Sequence, residues 1–362
     1  MSSDTQNIYD SGRRTPHTRL LNYFKKIPYP LASVLIFGIP FYIYLILNGI
    51  SGFDYVISTG TFFSAICVFI FLILYPITCK YWEDNTFWQF WGEIRPLVKT
   101  DEKEFQKLVK HFENRAYGKR KIISWIIVTC LYFILASFVL IGNPYYSHVN
   151  SYYFLLGVMP ITFYFVVNAF WDFTITMNVS RRVSKLDIQI LPLHPDQFGG
   201  ISSFGEISVE TAVISSQFSL FFPFLVTLFY TVVASEELRL LTVSLSIFFF
   251  VVTIALISIT YLVPSYFIYR TAKQKRDELM QESADFYNKS LKEYEEYRKK
   301  PNNDKLTEIS MAMWVSIQKE NFNQLDKMKV FPFSRSILSK ILVSIILPVV
   351  TGILVNVFFL SL

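Results

Sequence analysis

The sequence holds only 3 cysteines, 4 histidines, 13 glycines and 15 prolines in 362 residues, and only 17% of it is charged. So few cysteines exclude a disulfide scaffold, and so few histidines with no four-ligand spacing exclude a Cys/His-rich zinc domain. The low Gly and Pro content excludes collagen and low-complexity linkers. An average soluble domain carries roughly 25% charged residues, so the shortage of charge argues against a soluble globule. There is no Walker loop, dinucleotide fingerprint or HExxH motif.

What the chain has instead is apolar length: 52% hydrophobic and 18% aromatic. A bilayer core of about 30 Å needs roughly 20 apolar residues in helix. Seven runs free of Lys, Arg, Asp and Glu meet that length: Tyr29 to Ile50, Tyr55 to Thr78, Ile122 to Ile141, Tyr152 to Trp171, Ala212 to Ala234, Leu240 to Tyr269 and Ile341 to Leu360. The sixth is longer than a perpendicular span needs, so it is expected to tilt or run on past the membrane surface. Long continuous runs are the opposite of the short alternating segments of a barrel. The expected fold is all-α and polytopic.

Charge is sorted between these runs. Segments 1–28, 79–121, 177–206 and 270–340 hold 33 of the 34 Lys and Arg, leaving Arg239 alone on the other side. Lys and Arg flanking spans stay in the cytoplasm, which predicts an inner N-terminus and, with seven spans, an outer C-terminus. By this arrangement the outside carries −2 and the inside +8 of the chain's +6. Orientation and anionic inner-leaflet lipid account for the basic excess, so nucleic acid is not an expected partner. The first 28 residues are polar and show no cleavable signal pattern.

The expected organisation follows: a disordered basic tail (1–28), spans one and two (29–78), a cytoplasmic amphipathic loop (79–121), spans three and four (122–176), a Pro/Gly loop of re-entrant character (177–211), spans five and six (212–269), a cytoplasmic helical hairpin (270–335) and span seven (336–362). In the first loop, Asp101 and Glu104 form a capping-box-like start before Phe105, Leu108, Val109 and Phe112 at helical spacing. Upstream, Trp82, Phe87, Trp88, Phe90 and Trp91 crowd beside span two, where a lipid interface favours Trp; an aromatic ligand cage is the lesser alternative. In the hairpin, Met280, Ala284, Tyr287, Leu291 and Tyr294 line one stripe, Pro301 to Asn303 break it, and Leu306, Ile309, Met313, Ile317 and Leu325 line a second. That hairpin reads either as an assembly handle between subunits or as an intrachain bundle. Cys67, Cys79 and Cys130 lie in or at the ends of spans and read as structural thiols.

The stretch from Leu191 to Ile201 carries two prolines and a Gly pair, which forbid regular helix. His194 and Asp196 lie within it, with Asp172, Glu206 and Glu210 near in sequence. One reading has His194 and Asp196 cap a chain reversal. A second has the five side chains hold a divalent cation such as Ca²⁺. A third, catalytic reading needs Ser202 or Ser203 as nucleophile, and neither sits in a strand-turn-helix elbow.

No strongly charged residue lies at the centre of a span, which argues against a proton-coupled transporter. Neutral polar residues do recur: Ser344, Thr351 and Asn356 in the last span and Gln217 in the fifth are pore-lining candidates, with Glu236 and Glu237 at an outer mouth. Close helix packing explains the same stripes equally well.

In layout, with seven spans, an inner N-terminus, short outer loops and a helical cytoplasmic anchor, the chain resembles the insect gustatory and odorant receptor class of channels. That resemblance implies a tetramer whose last span lines the pore. It is one of topology, because that class's Thr-Tyr-(hydrophobic)-Gln-Phe pattern does not occur in Ile341 to Leu360. The leading expectation is therefore a homo-oligomeric, multi-pass cell-membrane channel or channel-like receptor for ions or a small ligand, with a weakly selective cation path and no enzymatic activity. A carrier or lipid-handling protein with a cavity between spans four, five and seven is the alternative, and an intramembrane enzyme at the His194 loop is the third.

Overall fold

The structure, a computed structural model, describes residues 9, 11–24, 26–51, 61–142, 152–191, 194, 196–221, 223, 237–300, 304–329, 331, 337, 339–342, 346 and 350. Among them every regular element is a helix, and β pairing is limited to one isolated antiparallel bridge between Val98 and Ile188. Four helices are long and apolar enough to cross a membrane: Tyr29–Leu47, Ser64–Leu97, Tyr153–Val183 and Val251–Arg298. They overlap the first, second, fourth and sixth expected spans. The third forms α7, Lys119–Gly142. The fifth is described only at its start, and most of the seventh, like the outer connections, lies outside the described residues.

Helix α1 (Pro16–Tyr23) opens with proline at its first position, where the missing N–H costs nothing. Within the segment expected as a disordered tail, the described residues 11–24 include this helix, and His17, Thr18 and Leu21 are buried. The strap before α1 is tied down by polar bonds: Tyr9 donates to Glu102 (3.3 Å), Ser11 to Glu113 (2.5 Å), and the Arg14 guanidinium to Asp84 (2.5 Å). Helices α2 (Tyr29–Phe37) and α3 (Ile39–Ser51) are separated by Gly38 alone. Helix α4 (Thr61–Tyr81) runs into a π-helical turn, Trp82–Thr86, and then α5 (Phe87–Ile94).

Helix α6 (Glu102–Ala116) buries Phe105, Val109 and Phe112, as its periodicity predicts. Its capping box does not form: Asp101 precedes the helix, but its side chain makes no cap bond, while its carbonyl accepts from Phe105 N–H at 3.0 Å. The crowded aromatics are also not at a lipid interface. Trp82, Phe87, Trp88, Phe90 and Trp91 are all buried, because α5 turns them under α6 and α9 (Ser202–Ser216). Trp91 stacks on Phe112 (5.8 Å between centroids) and Phe90 meets Phe204 edge-on (5.0 Å). Helix α8 (Met159–Val183) packs on α4, α6, α7 and α9 and completes this core.

Helix α10 spans Glu237–Arg298, 62 residues. At 1.5 Å per residue it is about 93 Å long, roughly three times a bilayer core. The helix that holds the sixth run therefore continues well past Tyr269, and running on was one of the two outcomes its excess length predicts. Helix α11 (Lys305–Lys327) folds back on it, started by Asp304, whose carboxylate accepts from Leu306 and Thr307 N–H. Met280, Ala284, Tyr287, Leu291 and Tyr294 are half-buried, while on α11 the sides of Met311, Ala312, Val315, Phe322 and Leu325 are covered. The expected α11 stripe of Leu306, Ile309, Met313 and Ile317 points outward instead. Helix α11 is thus apolar on two faces, and among the described residues only one of them is covered.

Candidate functional site

Cys79 and Glu83 are four residues apart, one turn of helix, where α4 passes into the π turn. Such turns insert one extra residue per turn and concentrate at functional sites. Helix α1 lies against α4 and brings His17 to the same place. One ligand atom of each of the three, nitrogen, sulfur and oxygen, lies within 4.8 Å of the other two, and all three residues are buried. Cys79 Sγ donates to Glu83 Oε1 (3.7 Å), and Thr15 N–H donates to Glu83 Oε2 (3.1 Å). The imidazole of His17 meets Thr15 Oγ1 through Nε2 (3.1 Å) and the Tyr164 hydroxyl through Nδ1 (3.4 Å). Complete burial, with Lys121 nearby, pushes His17 down to about 3, so the ring is neutral at neutral pH.

Beside this trio is a buried ion pair, Lys121 Nζ to Asp172 Oδ1 at 2.6 Å, with the Tyr75 hydroxyl donating to Asp172 at 3.5 Å. Burial of two charges is tolerable only where each meets the other and further hydrogen bonds. The whole arrangement lies where α1, α4, α7 and α8 converge at the ends carrying the basic flanks.

The five residues expected around the Pro/Gly loop take separate partners. Asp172 belongs to the Lys121 pair just described. Asp196 closes the loop: Oδ1 accepts from Phe198 N–H (2.9 Å) and Gly200 N–H (3.0 Å), Oδ2 accepts from Ser202 N–H (3.2 Å), and His194 Nδ1 stands 2.8 Å from Oδ1. Partial burial works to raise the Asp196 carboxyl, but these N–H donors and His194 hold it below the usual carboxylate range. Glu210 pairs with Lys340, and Glu206 is exposed, within electrostatic reach of Glu93, Glu210, Asp196 and Lys340. The geometry here is that of a capped chain reversal. Gln197 (φ 61°), Gly199 (φ 71°) and Gly200 (φ 93°) make the turn, and a Cβ on Gly199 would lie 2.3 Å from Ile190, so only glycine fits.

Of the pore candidates, Gln217 is buried and donates to Thr78 Oγ1 at 3.0 Å, and its Oε1 has no partner among the described residues. Separately, the buried Thr176 and Thr211 hydroxyls are 2.8 Å apart. Ser344, Thr351, Asn356 and Glu236 lie outside the described residues, and Glu237 is described only as the first residue of α10.

His17, Glu83 and Lys121 were not singled out by sequence reasoning. The spacing of Cys79 and Glu83 was a usable signal; His17 sat in a polar segment with no periodicity to mark it. Compared with known proteins, the chain matches no family, no curated protein and no solved structure.

Proposed function

We propose that this chain is a homo-oligomeric membrane channel of seven spans, with the N-terminus in the cytoplasm, the C-terminus outside and a weakly selective cation path lined by the last span. The second apolar face of α11 is the observation that carries it: Leu306, Ile309, Met313 and Ile317 recur at three- and four-residue steps and are exposed. A cytoplasmic helix does not keep such a stripe in water, and a self-matching stripe on a hairpin continuous with a membrane helix suits assembly around an axis. The charge sorting, 33 of 34 Lys and Arg on one side, supports the orientation. Ser344, Thr351 and Asn356 remain the proposed lining, with Glu236 and Glu237 at the outer mouth.

Purified protein in a planar bilayer tests this reading. Discrete cation-carrying openings are expected, altered in size by Asn356→Leu. Saturable solute uptake with no openings would instead mark a carrier. That second reading draws on Gln217, which is buried and bonded to Thr78 rather than set on an outer face. A buried polar group there suits a cavity in each subunit.

A further inference from the structure

We propose that His17, Cys79 and Glu83 form a buried site for a divalent transition-metal ion of the zinc class, which pins α1 to the second membrane helix. The trio lies outside the proposed cation path, and the inference stands without that reading.

The donor set selects the metal. A thiol, an imidazole and a carboxylate suit Zn²⁺ and its neighbours, whereas Ca²⁺ and Mg²⁺ take oxygen ligands and bind sulfur poorly. The spacing fits as well. Bond lengths of 2.0–2.3 Å in a tetrahedron place ligand atoms roughly 3.4–3.7 Å apart. Cys79 Sγ and Glu83 Oε1 are already at 3.7 Å, and the ring nitrogen of His17 completes a set within 4.8 Å. Closing that set takes about 1 Å of side-chain adjustment.

Two further observations point the same way. His17 has its second nitrogen directed at the Tyr164 hydroxyl (3.4 Å), the kind of outer hydrogen bond that orients a metal-bound imidazole. The Tyr117 hydroxyl is buried with no hydrogen-bond partner among the described residues, and it lies within electrostatic reach of Glu83 and Cys79. The charges also balance. When the ion binds, the Cys79 S–H bond breaks, its proton leaves to solvent, and a sulfur–metal bond forms with no change of oxidation state. A dication with one thiolate and one carboxylate is then neutral, beside a Lys121–Asp172 pair that is itself neutral.

The test uses the full-length protein in detergent, with Zn²⁺ and Co²⁺ as probes. Protein purified without chelator from zinc-supplemented culture is expected to hold about one zinc per chain. Replacement by Co²⁺ should give a thiolate-to-cobalt charge-transfer band. Cys79→Ser should abolish the band, and Glu83→Gln should weaken binding about 100-fold. Chelation should speed proteolysis of the segment 9–24, since the ion no longer holds α1. If Cys79→Ser does not fold, the double change Cys67→Ser with Cys130→Ser leaves Cys79 the sole thiol, and the band should persist in it. A monodisperse wild-type protein with neither zinc nor a thiolate band after Co²⁺ loading overturns the site. Persistence of the band in folded Cys79→Ser overturns it equally.

Discussion

Around α4 to α6, the tryptophans Trp82, Trp88 and Trp91 are each at most 2% exposed, whereas Trp314 on α11 is 55% exposed. Both regions are helical and amphipathic, and both flank membrane helices at the end rich in basic residues. The difference is the number of neighbours. Helix α5 packs on α9 and the π turn and stacks Trp91 on Phe112 of α6, while among the described residues α11 packs chiefly on α10. Among the described residues, the first region buries its indoles within one chain, while the second leaves an apolar stripe uncovered.

The sharpest break of that comparison is a pair of equivalent truncations. Trp91→Ala should lower stability by about 3–5 kcal/mol, the usual cost of emptying a buried indole site. Trp314→Ala should fall within about 0.5 kcal/mol in the Ile309→Glu, Met313→Glu background, where no second chain covers α11. Thermal unfolding in detergent measures both, and equal effects would erase the distinction.

Loss of one partner of the buried ion pair belongs to the same scale. Lys121→Met or Asp172→Leu alone should cost about 3–5 kcal/mol, because each strands a buried charge, and the double change should recover most of it. Additive losses in the double variant would show that the two groups are not coupled.

A middle-sized effect is expected at the chain reversal. Asp196→Ala removes an acceptor used by three backbone N–H groups and should cost about 1–3 kcal/mol. The sign of its pH dependence follows from the lowered carboxyl. The folded state releases this proton more readily than the unfolded chain, so the contribution is full above the unfolded value of about 3.9 and is lost as pH falls through the lower folded value. Stability measured between pH 6 and 3 should fall less steeply in Asp196→Asn than in the wild type, by about the loss of one titrating group.

The smallest effect is at the start of α11, where Asp304→Ala removes a side-chain cap and should cost about 1 kcal/mol, confined to the hairpin. Amide exchange should rise in the first turn of α11 and stay unchanged in α6. Exchange spreading into the core would couple the two regions.

Much of this division was legible in the sequence. Uninterrupted apolar runs marked the helices containing Tyr29, Ser64, Tyr153 and Val251, because length and absence of charge are local properties. Phe105, Val109 and Phe112 announced α6 by periodicity, and Pro301 to Asn303 marked the hairpin break. The indoles of Trp82 to Trp91 could not be placed, since an interfacial and an enclosed tryptophan have the same local pattern and differ only in what folds over them. His17 was hidden for a similar reason: its burial comes from α4 and α8, more than fifty residues away in sequence. On α11 the spacing of Leu306, Ile309, Met313 and Ile317 marks a stripe, yet the helix has two such faces and spacing does not say which one α10 covers. At the Pro/Gly loop, the residues His194 and Asp196 were found and their geometry is a capped turn, which depends on backbone donors that a sequence does not display.

The claim that the open face of α11 joins subunits is tested most directly by mass. Light scattering coupled to size exclusion, with detergent subtracted, should give the wild-type protein as a multiple of its 42.3 kDa chain and the variant Ile309→Glu with Met313→Glu as a single folded chain. A wild-type protein of one chain, or a variant that keeps the wild-type mass, would contradict it.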